Sequence, residues 1–265
     1  MTTITIERAA QPRLAPARIP MSRLVGVELR KMFDTRSGFW LMASIVIAAV
    51  LATGASILFA PDDQLTYSTF AASIGFPMAV ILPMIAILSV ASEWSQRSGL
   101  TTFTMIPHRG RVIWAKAISA VAVAVVSILI ALVVGAGGNI LGATINGTPR
   151  VGDMSVTGVT YIVIGNILGL LVGFMLGVLI RNSSGAIVAY FVYSLLLPTL
   201  FSVLAAGQHW FHQLQPWVDF NFAQGALFNG SMSSQQWANL ATAGSLWLVA
   251  PLVVGLTLMM RSEVK

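Results

Sequence analysis

The sequence predicts an all-α, polytopic membrane protein of six transmembrane helices. Three observations carry this: a mean hydropathy of +0.82, 9% charged against 56% hydrophobic residues, and six apolar runs with no Asp, Glu, Lys or Arg in their middles. A soluble domain carries about 25% charged residues, so a water-facing fold of this length would lack the polar surface to cover it. The net charge of +6 sits between the apolar blocks and not along one face, which argues against a nucleic-acid partner. The chain has no cysteine, and therefore neither disulfides nor thiolate metal ligands.

Residues 1–20 read as a disordered tail, broken by Pro12, Pro16 and Pro20 and with little to bury. The first apolar run starts near Phe39, and no short apolar segment with a small-residue cleavage site precedes it, so no cleavable signal peptide is expected. Residues 21–38 form an interfacial segment. In it Met21, Leu24, Val25, Leu29, Met32 and Phe33 recur at helical spacing, opposed by Arg23, Arg30, Lys31 and Asp34. A short, basic, amphipathic helix of this kind suits the membrane interface.

The spans are expected at about 39–59, 70–91, 112–135, 158–180, 185–206 and 238–260, within a domain covering 39–260, and residues 261–265 close the chain. Each run meets the roughly 20 residues that a crossing helix needs. A charge at mid-membrane costs roughly 2.5–3.5 kcal/mol on insertion scales, which accounts for the uncharged middles. With both ends cytoplasmic, fourteen of the fifteen Lys and Arg lie inside and only Arg150 lies outside. That asymmetry sets the predicted orientation.

Pro77 and Pro83 in span two, Pro198 in span five and Pro251 in span six predict kinks, which either shape packing or open a pathway. Span four places Gly165, Gly169, Gly173 and Gly177 at four-residue steps, a smooth ridge for a second backbone from this chain or from another subunit. The stretch 205–238 is long for a loop and dense in aromatics, and part of it is expected to fold back as short helices.

No catalytic constellation emerges. There is no HExxH, GxSxG or GxxxxGK[ST] pattern. His209 and His212 would share a helix face, but only Asp219 stands near as a third ligand, so no metal is expected. The spans hold no ionisable residue at mid-depth to harness an ion gradient; their polar groups are residues such as Asn166, Tyr190 and Tyr193.

Two segments carry a family likeness: ELRKMFDTRSGFW (28–40), leading into span one, and SEWSQRSGLTTFTMIPHRGRVIWAK (92–116), between spans two and three. Together they resemble the membrane-spanning permease subunits of type-2 ABC exporters. The likeness covers nearly the whole chain in layout and about forty residues in motif. It implies a non-catalytic subunit that binds no cofactor of its own. An ABC ATPase subunit carrying ATP and Mg would drive it, and a second permease subunit, identical or related, would complete the pathway.

By the same likeness Glu93, Arg97, Gly99, Thr101, Pro107, Arg109 and Arg111 would face the ATPase. Glu28, Arg30, Lys31 and Arg36 would hold the interfacial helix against lipid phosphates and that partner. Residues 205–238 occupy the place of re-entrant structure between spans five and six. The setting implied is the plasma membrane of a prokaryote, and the mostly apolar spans lean toward amphiphilic cargo. The competing readings are an autonomous channel or secondary transporter, and a membrane enzyme or assembly protein without transport.

Overall fold

The computed structural model describes residues 19–61, 64–95, 109–147 and 152–261. Among these residues the chain is helical and contains no strand. Of the tail predicted over residues 1–20, residues 1–18 lie outside the described residues.

Helix α1 (Met21–Asp34) starts directly after Pro20 and stops at Thr35, whose backbone is extended. The Thr35 hydroxyl accepts a hydrogen bond from Gly38 N at 3.1 Å and so caps α2 (Arg36–Phe59). The amphipathic segment expected to reach residue 38 therefore ends four residues earlier, because Thr35 begins the next helix. Three longer helices follow: α3 (Tyr67–Ser95), α4 (Arg109–Asn146) and α5 (Val156–Ile180). Ser155 caps α5, and Asn182 caps α6 (Ser183–Gly207) by accepting from Gly185 N. Two short helices, α7 (His209–Val218) and α8 (Phe220–Gly225), then a 3-10 turn (Ala226–Asn229), precede α9 (Ser234–Arg261). A reciprocal Ser233–Gln236 capping box opens α9.

Six of these helices, α2 to α6 and α9, are long and apolar enough to cross a membrane. The chain is a multi-pass membrane protein. The spans match the apolar runs within a few residues, except that α4 continues past 135 to Asn146. Its 38 residues extend about 57 Å at 1.5 Å per residue, well beyond the hydrocarbon core. Hydropathy falls over GAGGN, but the glycines there admit a neighbour: Phe70 of α3 lies 3.1 Å from where a Cβ on Gly138 would stand and 3.4 Å from one on Gly142.

Helix α3 is the axis of the bundle, packing on α2, α4, α5 and α6. Phe70, Met78, Leu82, Ile87 and Val90 are fully enclosed. The glycine ridge of α5 is absorbed within this chain. Gly173 and Gly177 meet Pro83 and Ile87 of α3, while Gly165 and Gly169 meet Phe228 and Gln224 of the folded-back segment.

The prolines of α6 and α9 do not simply bend their helices. Each follows one turn of π-helix, Val192–Leu196 before Pro198 and Ser245–Val249 before Pro251, closed by bonds from Leu197 N to Val192 O and from Ala250 N to Ser245 O. A proline ring clashes with the carbonyl four residues back and cannot donate to it; the widened turn relieves both problems. The two turns lie abreast, with Tyr193 and Trp247 rings 5.9 Å apart.

At the end of the bundle remote from α1, Asp153 ties the segment before α5 to the start of α3. Its carboxylate accepts from Ser68 N at 2.9 Å and from the Ser68 hydroxyl. Partial burial pushes this carboxyl up, but the Ser68 side-chain and backbone bonds, with smaller help from its own backbone and Thr66, outweigh that and hold it below the ordinary value. A carboxyl depressed in the fold stabilises above its unfolded pKa and loses that contribution as pH falls through the folded one. The tether is therefore expected to persist from neutrality to about pH 4 and to release below it. Hydrogen exchange at the first turn of α3 tests this: protection should fall in acid for the native chain, whereas Asp153→Asn should be weakly protected throughout. Identical profiles would refute the tether.

Candidate functional site

The α1 end of the bundle is built around one buried ammonium. On α1 the inward positions are Leu24, Glu28 and Met32, at four-residue steps. Glu28 is only 6% exposed and Lys116, in the second turn of α4, only 4%. Lys116 Nζ donates to Glu28 Oε2 at 2.6 Å and to the Ser89 carbonyl of α3 at 3.0 Å. A single side chain thus joins α1, α3 and α4. Lys31 closes on the other Glu28 oxygen at 2.9 Å. Nearby, Ser119 donates to Val25 O at 3.3 Å, and Arg111 Nη2 donates to Ile19 O at 2.6 Å, just ahead of α1. Arg181, in the left-handed conformation that ends α5, lies over the Trp94 ring at 5.7 Å.

These contacts place the residues expected from the sequence. Glu28 is turned into the bundle between two lysines and not outward to phosphates, while Arg30, Lys31 and Arg36 are exposed. Arg111 is engaged with the backbone ahead of α1. Glu93 lies in the last turns of α3 and Arg109 begins α4; what their side chains do lies outside the described residues, as do Arg97, Gly99, Thr101 and Pro107. Sequence reading missed Lys116 as the partner of Glu28. The signals were an acid in register with Leu24 and Met32 and a lysine inside an apolar run.

Further along the bundle, α3, α5, α6 and the segment 221–228 line a cavity of about 250 Å³ that opens at the surface beside Phe76, which is 78% exposed. Its apolar walls include Phe76, Val80, Pro83 and Phe228; its polar wall is formed by Asn166, Tyr190, Tyr193, Ser194, Asn221 and Gln224. Most of these polar groups are held by the backbone. Tyr190 Oη donates to Ala79 O (2.5 Å), Gln224 Nε2 to Gly165 O (2.8 Å), Asn166 Nδ2 to Ile162 O (2.9 Å) and Asn221 Nδ2 to Tyr193 O (3.3 Å). The Tyr193 hydroxyl differs: the residue is 8% exposed, and the hydroxyl makes no hydrogen bond among the described residues. An unsatisfied buried group of this kind costs about 1–3 kcal/mol.

Among the described residues no charged side chain lines the cavity. Asp219, which the sequence places in an external loop, is instead 2% exposed. Its oxygens accept from Phe222 N and Gln215 Nε2, both at 3.1 Å, and it caps α8. His209 and His212 are exposed on α7.

The class that fold and site define is a multi-pass membrane protein with an open cavity that no charged side chain lines among the described residues, and a buried ion pair at one end. No protein-family profile and no curated protein sequence matches this chain.

Proposed function

We propose that this chain is the non-catalytic, membrane-spanning subunit of an ATP-driven exporter of the type-2 ABC class, working in a plasma membrane with its α1 end in the cytoplasm. One observation carries the reading: the Lys116 ammonium binds α1, α3 and α4 together, and α3 and α4 are the two spans that flank segment 96–108. A partner that pushes on that segment moves three helices as one body. The cavity supports the reading too, because among the described residues no charged side chain lines it through which an ion gradient could act. The Lys and Arg distribution along the chain favours the same orientation.

In this mechanism a separate ATPase, with ATP and Mg, docks on the α1 end, and a second permease copy or relative completes the pathway. Glu93, Arg109 and Arg111 lie at the docking side. An ATPase should copurify with the chain in mild detergent, and Arg109→Ala should weaken its binding roughly tenfold, the worth of a lost charge-assisted contact. Purification of the chain alone, with uphill transport in proteoliposomes without ATP, would overturn the reading.

Buried Asp219 favours a second reading, a carrier driven by protons. Its two occupied oxygens mark it instead as a helix cap. Asp219→Asn decides between them: it leaves ATP-driven flux running, whereas it abolishes proton-driven flux.

A further inference from the structure

We infer that the cavity between α3, α5, α6 and the segment 221–228 is a binding site for a small neutral amphiphile whose polar end carries a hydroxyl or amide. Three observations converge on it. The walls divide into an apolar side, with Phe76, Val80 and Phe228, and a polar side, with Ser194, Asn221 and Gln224. A ligand matching both sides has an apolar tail and a hydrogen-bonding head. Next, no charged side chain lines the site among the described residues, so an ionised head would find no counter-charge there.

The third observation concerns the state of the polar groups. Asn221 and Gln224 each commit an amide N–H to a backbone carbonyl, which fixes their direction and leaves the side-chain carbonyl as an acceptor. Tyr193 lines the cavity as a residue, but its hydroxyl is sealed from the cavity and makes no hydrogen bond among the described residues, so the guest's head is met by the Asn221 and Gln224 carbonyls. Tyr193 stands on the π turn of α6, a distortion frequent at functional sites. The cavity volume of about 250 Å³ lies just under the usual range for ligand pockets, which sets the size of the guest.

The site binds without nucleotide or partner, so its test is separate from that of the ATP-driven reading. The probe is a diazirine-bearing octanol, photolysed with the purified full chain and mapped by mass spectrometry, beside a diazirine-bearing octanoate of equal length. The alcohol is expected to label Phe76, Tyr193 or Phe228 in preference to the lipid-facing Leu200 and Val203, and the acid to label the site at least tenfold less. Tyr193→Phe removes a hydroxyl sealed from the cavity, so it should leave labelling unchanged and serves as the control for fold integrity. Ser194→Leu should cut cavity labelling at least tenfold by filling the space, with thermal unfolding showing that the variant stays folded. Competition by dioctanoylglycerol identifies a lipid guest, and competition by octanol alone identifies a free solute. Labelling spread along the outer face, equal for alcohol and acid, or unmoved by Ser194→Leu in a stably folded variant, overturns the assignment.

Discussion

Replacing Lys116 by methionine is expected to free α1 from the bundle and to destabilise the fold by about 3–5 kcal/mol, the range for stranding one partner of a buried ion pair. Glu28 would keep its carboxylate in a site 6% exposed, facing Lys31, whose side chain is 44% exposed. The Ser89 carbonyl would lose a donor as well. The double variant Glu28→Leu with Lys116→Met should recover most of that loss, because a well-packed apolar pair often replaces a buried salt bridge at little cost. Trypsin reads the outcome, since Arg23 and Arg30 lie on α1. Cleavage there should accelerate in the single variant and return toward the native rate in the double one, alongside thermal unfolding in detergent. If Lys116→Met leaves both measurements unchanged, the pair does not hold α1. On the proposed function, a double variant that folds yet uncouples ATP turnover from flux would show that the pair transmits force as well as fixing position.

The second large effect is expected at Gly173. A methyl group there would stand 2.6 Å from Pro83 O and 2.8 Å from Pro83 Cα, atoms of the α3 backbone that cannot rotate aside. Gly173→Ala should therefore force α3 and α5 apart, at a cost of about 1–3 kcal/mol, and a leucine should prevent a monodisperse preparation. Gly169 is the matched comparison. Its nearest neighbour is the Gln224 amide nitrogen at 3.4 Å, a side chain able to give, so Gly169→Ala should cost far less. Gly54, with nothing within 4 Å of an added Cβ, should gain about 0.5–1 kcal/mol on becoming alanine in mid-helix. Thermal unfolding of the three variants gives the order. Equal effects at Gly173 and Gly54 would show that the ridge carries no close contact.

How much of this was legible beforehand follows from the range of each interaction. Span positions depend on local hydropathy, and the edges at Ser155, Asn182 and Ser233 are side-chain caps only three residues long in sequence, so these elements could be read directly. The far half of α4 could not, because its glycines look like a stop until Phe70 fills them. Glu28 and Lys116 are 88 residues apart, and nothing local pairs them. The cavity is further still from the sequence. Asn166 and Tyr193 sit in separate spans, and Asn221 and Gln224 sit in what reads as a loop. Only the folding back of 209–229 brings the four together.

The widened turn in α6 has a consequence for the outline of that span. One residue more than a regular turn rotates everything beyond it by about 100°. Ala186, Tyr190 and Tyr193 face inward, and an unbroken helix would continue that stripe seven residues later through Leu200. Leu200 is instead 63% exposed, while Phe201 turns in against Phe211. The seam between protein and lipid along α6 therefore does not run straight: it sidesteps by one residue at the depth where the polar wall begins.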